Sequence, residues 1–178
     1  MRIISIDPGY ERLGIAVLEK EKKNKQPLKA SSGGHTTTAH SGYRMTETLV
    51  FSECFKTSNK LSHHERLTLI GNKIKDVIEK YEPKALATEK LFFSGNQKTA
   101  MQVSEARGVI LYTGSSLGLD VFEYTPNDVK IAVTGYGRAE KHQVMDMVRK
   151  LITIDSKTNS DDELDAIAIG LTHFAIQR

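Results

Sequence analysis

Residues 3–18 read IISIDPGYERLGIAVL. Two apolar runs, Ile3–Ile6 and Leu13–Leu18, flank the turn-forming Asp7-Pro8-Gly9. A short apolar run stopped by proline and glycine reads as a buried strand, and the second run as its neighbour. A third run follows at Thr48–Thr57 (TLVFSECFKT). Three short strands in series predict an antiparallel meander.

Downstream the period changes. Ser62 and Glu65 form a capping box, and Leu67, Ile70, Ile74, Val77, Ile78 and Tyr81 recur at helical spacing until Pro83. His63 and His64 fall in the first turn and read as exposed. Lys84–Glu89 (KALATE) is a strand, and a polar loop runs from Phe92 to about Gln97. The next helix offers Met101, Val103, Ala106, Val109 and Ile110 as core, with Ala106 and Gly108 allowing close approach. Val121–Tyr124 is a fifth strand; Thr125 and Pro126 then occupy the N-cap and first position of a helix. Gly135-Tyr136-Gly137 is a turn. A helix over 139–152 points Val144, Val148 and Leu151 inward, and a last helix spans about 162–176. The expected fold is α/β: a mixed five-stranded sheet, antiparallel at its start, with helices on both faces.

The chain has 178 residues, which fits one domain able to bury a core without staples. A 39% hydrophobic and 26% charged composition excludes a disordered chain. The net charge of +3 and pI of about 8.9 stop just short of a strongly basic nucleic-acid binder. A single cysteine, Cys54, excludes an internal disulfide and reads as a small apolar strand residue. The N-terminus meets charge too early for a signal peptide, and no run reaches the ~20 apolar residues of a membrane span, so a cytoplasmic protein is expected. Residues 20–42 pass from KEKKNK to SSGGHTTTAHSG without apolar period. They read as a flexible insertion at a hairpin tip, either a solvated loop or a basic arm for a nucleic-acid backbone. His35 and His40 within it are weak as metal ligands.

Three places offer carboxylates. Asp7 and Glu89 each end an apolar strand, where packing does not call for an acid. Taken alone, a turn role for Asp7 and an exposed position for Glu89 serve equally well. Asp161-Asp162-Glu163-Leu164-Asp165 opens the last helix, and Asp162 and Asp165 share a face. Acids in a first turn also favour the helix dipole. The apolar AIAIGL beyond them implies a buried helix, whose carboxylates need a cation or a cavity. Oxygen ligands without a Cys or His cluster suit Mg²⁺ or Mn²⁺.

Four stretches are more specific together: IDPGYERLGIAV (6–17), ATEKLFFSGNQKTAMQVSEARGVI (87–110), FEYTPNDVKIAVTGYGRAEKHQV (122–144) and DELDAIAIGLTHF (162–174). In this order and spacing the chain resembles the RuvC-type Holliday-junction resolvases of the RNase H-like superfamily. The resemblance implies an RNase H-like nuclease domain over residues 1–178. It implies a catalytic, Mg²⁺-binding set of Asp7, Glu89, Asp162 and Asp165, with two ions per site and Mn²⁺ as a substitute. Asp161 beside Asp162 leaves the register of that ligand open. The resemblance also implies DNA contacts from Phe92, by stacking, and from Lys130 and Lys141, with Arg107 in a structural or backbone-contact role. It implies a homodimer nicking four-way junction DNA symmetrically, with a branch-migration helicase complex as a further partner. The insertion at 20–42 departs from the family pattern.

Three other readings are separable. An RNase H-like nuclease for precursor rRNA or flap DNA would cut those substrates rather than junctions. An actin-type ATPase also begins with a strand and an Asp-x-Gly turn, but needs two copies of the fold. An inert junction binder would not keep all four acids.

Overall fold

The computed structural model describes residues 1–24, 43–90, 97–154 and 160–177. Five strands, β1 (Arg2–Asp7), β2 (Arg12–Asn24), β3 (Tyr43–Lys56), β4 (Ala85–Glu89) and β5 (Asp120–Tyr124), form one sheet in the order β3-β2-β1-β4-β5. β1, β2 and β3 pair antiparallel; β4 and β5 run parallel to β1. The helices are α1 (His63–Tyr81), α2 (Gln97–Ser116), α3 (Pro126–Thr134), α4 (Lys141–Leu151) and α5 (Asp161–Ile176). The mixed, helix-flanked sheet matches the expected class.

Strand alternation sorts the core into two layers. Ile4, Ile6, Ile15, Val17 and Leu86 face α1 and α2, joining Ile70, Ile74, Ala106 and Ile110. Ile3, Ala16, Leu18 and Ala85 face the other way, joining Val144, Val148, Leu164, Ile167 and Phe174 of α4 and α5. Asp7 and Glu89 continue the rows of Ile3 and Ala85, so both fall on the α5 side. α5 lies close to the sheet because Gly170 has no side chain: a Cβ there would stand 2.6 Å from Leu18 Cδ1 and 2.9 Å from Ser5 Oγ.

The helix caps form as the sequence predicts. Ser62 gives its backbone N–H and its hydroxyl to Glu65, at 2.8 and 2.6 Å. Thr125 accepts from the Asp128 N–H at 3.1 Å and donates its own N–H to the Asp128 carboxylate at 2.8 Å.

Several expectations are corrected. The β2–β3 hairpin is longer than its apolar residues imply. Lys20–Asn24, taken as part of the insertion, continues β2 opposite Tyr43–Glu47. Cross-strand charge supports it: Lys20 faces Glu47 in register, with an ion pair at 3.4 Å. Residues 25–42 of the insertion, including His35 and His40, lie outside the described residues. Met101 is exposed, because the α2 stripe runs through Val103, Ala106 and Ile110. Gly108 faces open space; Gly71 is the glycine that lets α1 approach Val109 of α2, and Gly114 the one that lets α2 approach Leu86 of β4. Leu151 is half exposed; Ile152, just past the helix end, takes the inward place beside Met145 and Val148.

Candidate functional site

Asp7 and Glu89 are the last residues of two adjacent parallel strands. Ile6 pairs with Thr88, so the two carboxylates follow one step later at the same sheet rim. Across β1 lies Gly14, the ladder partner of Asp7. A Cβ at Gly14 would collide with the Asp162 carbonyl and stand 3.2 Å from Asp7 Cβ. The bare glycine thus lets the first turn of α5 settle against the end of β1. Ser160 caps that helix, accepting from the Glu163 N–H at 3.2 Å. Asp162 and Asp165 are thereby carried to the rim that holds Asp7 and Glu89.

Electrostatics record the convergence. Burial, then the charges of Asp165, Glu89 and Asp162, push the Asp7 carboxyl up to about 7. Burial and then Asp165 raise Glu89, against the pull of Lys141. Burial raises Asp165 as well, although its hydrogen bond from Lys141 works in the opposite direction. Four acids from β1, β4 and α5 therefore sense one another, and the cluster is short of positive charge.

Two side-chain cations partly meet that need. Lys141, at the start of α4, donates to Asp165 Oδ2 at 3.0 Å and stands 3.6 Å from Asp161. Burial disfavours its charge, but Asp165, Asp161 and Asp7 outweigh this and hold it above its usual value. On the other flank Arg12 Nε donates to Asp162 Oδ2 at 2.8 Å. Among the described residues no three acid, histidine or cysteine side chains are closed around one ion-sized point. Asp162 and Asp165 are turned outward to Arg12 and Lys141 instead. The donor set nonetheless fits a hard divalent cation: all oxygen, partly desolvated, and mutually repelling without one.

The structure also separates Asp161 from Asp162. Asp161 is exposed and acts on Asp165 and Lys141, whereas Asp162 is half-buried and acts directly on Asp7. Lys130 sits on α3 and has no hydrogen bond or ion pair from its side chain among the described residues. Phe92 lies outside the described residues. Arg107 pairs with Glu123, tying α2 to β5, in keeping with a structural place.

Three residues escaped the sequence reading. Arg12 stood in the quoted motif with no role; the signal was a charge opening an apolar strand. Cys54 is not merely an apolar filler: half-buried in β3, opposite Gly14, its thiol donates to Asp162 Oδ2 at 3.4 Å. His63 is likewise more than an exposed helix-start residue. Its ring meets the Tyr10 hydroxyl at 2.8 Å and Glu105 at 2.6 Å, joining the β1–β2 turn, α1 and α2.

The sheet order, strand directions and flanking helices define the RNase H-like class. The family model described as crossover junction endodeoxyribonuclease RuvC matches residues 30–173. A relative of that name from Halothermothrix orenii is 38% identical over 97% of this chain and 92% of its own. The solved structure of Thermus thermophilus RuvC superposes with a TM-score of 0.79 at 30% identity, covering 98% of this chain and 94% of that one. The same protein in complex with a Holliday junction substrate gives 0.77 at 27% identity, with the same coverage. The chain belongs to the RuvC family of crossover junction endodeoxyribonucleases. That membership implies catalysis dependent on a divalent metal.

Proposed function

We propose that this chain, acting as one nuclease domain, resolves four-way DNA junctions by paired nicks, with Asp7, Glu89, Asp162 and Asp165 as its metal-binding catalytic set. The observation that carries this is the meeting of acids from β1, β4 and α5 at one rim, in a chain of this family. Mg²⁺ is the ion of choice for an all-oxygen set, two per site, with Mn²⁺ able to substitute. Held by these four carboxylates, such ions would supply activation of a water and charge stabilisation for the leaving oxygen of a phosphodiester.

The protein's own groups do the rest. Asp7 and Glu89 are fixed by the strand ladder, so their carboxylates are positioned before any ligand arrives. Asp162 and Asp165 sit on a helix whose far end is buried, which holds the second pair in place. Lys141, now on Asp165 and exposed, is placed at the mouth of the cluster, where it would meet a DNA phosphate. Phe92 and Lys130 complete the proposed DNA contacts, by base stacking and by charge.

A homodimer fits two opposed nicks. In support, α1 and α2 carry an outward groove of about 440 Å³ flanked by exposed Tyr112 and Leu117, which suits a second copy of the chain. Among the described residues no helix is long and apolar enough to cross a membrane. We place the chain in the cytoplasm, in DNA recombination and repair, with a branch-migration helicase complex as partner. The alternative of a nuclease for precursor rRNA or flap DNA draws no support from these relatives.

The test is cleavage of a mobile four-way junction in Mg²⁺, with cuts mapped on all four strands, beside flap and structured-RNA substrates. Symmetric junction nicks, lost in Asp7→Asn while junction binding persists, are the expected result. Equal cutting by Asp7→Asn, or preference for flaps or RNA, would overturn the proposal.

A further inference from the structure

Beside the four acids lies a second polar feature that the proposed chemistry does not use. The turn after β1 and the end of β3 enclose a pocket of about 310 Å³, lined by Glu11, Arg12, Lys56, Thr57, Ser58 and Asn59. Arg12 and Lys56 are direct partners in the β2–β3 ladder. Like charges directly opposite one another destabilise an antiparallel pair, so packing does not account for the two cations.

Their partners differ. Arg12 is held by Asp162. Lys56 has no ion pair among the described residues and is exposed. Thr57 is already engaged, donating its hydroxyl to the Tyr10 carbonyl at 2.8 Å and accepting from Arg66 Nε at 2.9 Å. The Ser58 hydroxyl accepts the Lys60 N–H at 3.2 Å. Glu11, the one acid in the lining, is largely exposed, with Arg66 4.0 Å away. The pocket therefore presents two cations, one of them borrowed by Asp162, along with hydroxyl and amide groups. Such a set matches a phosphodiester, which a guanidinium fork binds better than an ammonium does.

We infer that Arg12 is a cationic placeholder: it neutralises Asp162 in the metal-free protein and, once a divalent cation takes that carboxylate, turns to a DNA backbone phosphate in the pocket beside Lys56. The inference rests on the reading of the four acids as a metal site, and adds to it a positioning residue and a phosphate subsite. Arg12 is half exposed on its side chain, so it can turn without disturbing the core. The exchange is driven by charge. A divalent ion displaces one guanidinium from the acids, and the freed guanidinium then has an unpartnered lysine and a polyanion beside it.

The test compares Arg12→Gln, Lys56→Gln and the parent chain. Mn²⁺ binding is first measured by titration calorimetry without DNA. Arg12→Gln should bind Mn²⁺ roughly two- to fivefold more tightly, the range of an exposed ion pair, and Lys56→Gln should not. The salt dependence of junction binding is then measured in EDTA and in Ca²⁺. Arg12→Gln should match the parent slope in EDTA but be shallower by about one in Ca²⁺, while Lys56→Gln should be shallower in both. Arg12→Lys, which keeps the charge, should restore the slope in Ca²⁺.

Unchanged Mn²⁺ affinity in Arg12→Gln would overturn the inference. So would equal tightening in Lys56→Gln, which would reveal a general field rather than a placeholder, or an unchanged slope in Ca²⁺. Failure of the underlying reading shows in a different protein: Asp7→Asn would bind Mn²⁺ as the parent does, and that result would remove both.

Discussion

Against one face of the sheet, α1 and α2 meet Ile4, Ile6, Ile15, Val17 and Leu86, and at the rim of the four acids the β1 and β4 rows end uncharged, in Ile6 and Thr88. Against the other, α4 and α5 meet Ile3, Ala16, Leu18 and Ala85, but these rows end in Asp7 and Glu89. The same strands and the same alternation feed both layers. The difference is one residue per strand, at the rim, where the second layer gives up burial for charge. One face holds the fold together, and the other spends part of that stability on a cation-seeking cluster.

The largest effect expected from breaking this contrast is at Asp7. Asp7→Asn should abolish metal-dependent junction cleavage yet raise the melting temperature of the metal-free protein near pH 8. The sign follows from its raised pKa. The proton is held more tightly in the folded state, up to about 7 against an ordinary 3.8. Its stability contribution is full below about pH 4 and is lost as pH rises through about 7. The gap corresponds to about 4 kcal/mol at most. About half of that gap lies above pH 5.5, so the metal-free chain should melt roughly 4–8 °C lower at pH 8 than at pH 5.5. Glu89 and Asp165, also raised by burial, add in the same direction. Mg²⁺ should restore the melting temperature at pH 8, and Asp7→Asn should flatten the profile. A parent chain melting equally at both pH values without metal would remove the proposed electrostatic cost.

On the other face the expected outcome reverses. Ile74 is fully buried between α1 and the sheet. Ile74→Ala should cost about 2–5 kcal/mol by denaturant unfolding. Mn²⁺ affinity of the molecules still folded should be unchanged. A loss of metal binding in proportion to stability would mean that the two layers are coupled rather than separate in role.

Much of this contrast is legible in the sequence, because period and punctuation are local. The apolar runs at Ile3–Ile6 and Leu13–Leu18, the Ser62 and Thr125 caps and the acidic opening of the last helix all appear where expected. Strand order is a non-local property: nothing within 85–89 says that β4 lies beside β1. That pairing is what puts Glu89 next to Asp7. The roles of Arg12 and Cys54 were hidden for the same reason. Both meet Asp162, more than a hundred residues away in the chain, and only the folded sheet brings them there. The hairpin was underestimated because cross-strand charge, not apolar period, supports its outer part.

The smallest effect separates the two layers most finely, through one glycine on each. Gly71, on α1, faces α2, where a Cβ would stand 3.2 Å from Val109 Cγ1, a side chain that can yield slightly. Alanine is also preferred to glycine in a helix by about 1 kcal/mol. Gly71→Ala should therefore be close to neutral in stability and silent in metal binding. Gly14→Ala meets backbone instead, the Asp162 carbonyl at the first turn of α5, which cannot yield without moving the helix. It should cost about 1–3 kcal/mol, the range of overpacking. Because the displaced turn carries Asp162 and Asp165, it should also raise the Mn²⁺ concentration needed for half-saturation. Calorimetric titration of the two variants at matched folded fraction checks this. Equal metal affinity in both would show that the seat of α5 on Gly14 serves packing alone.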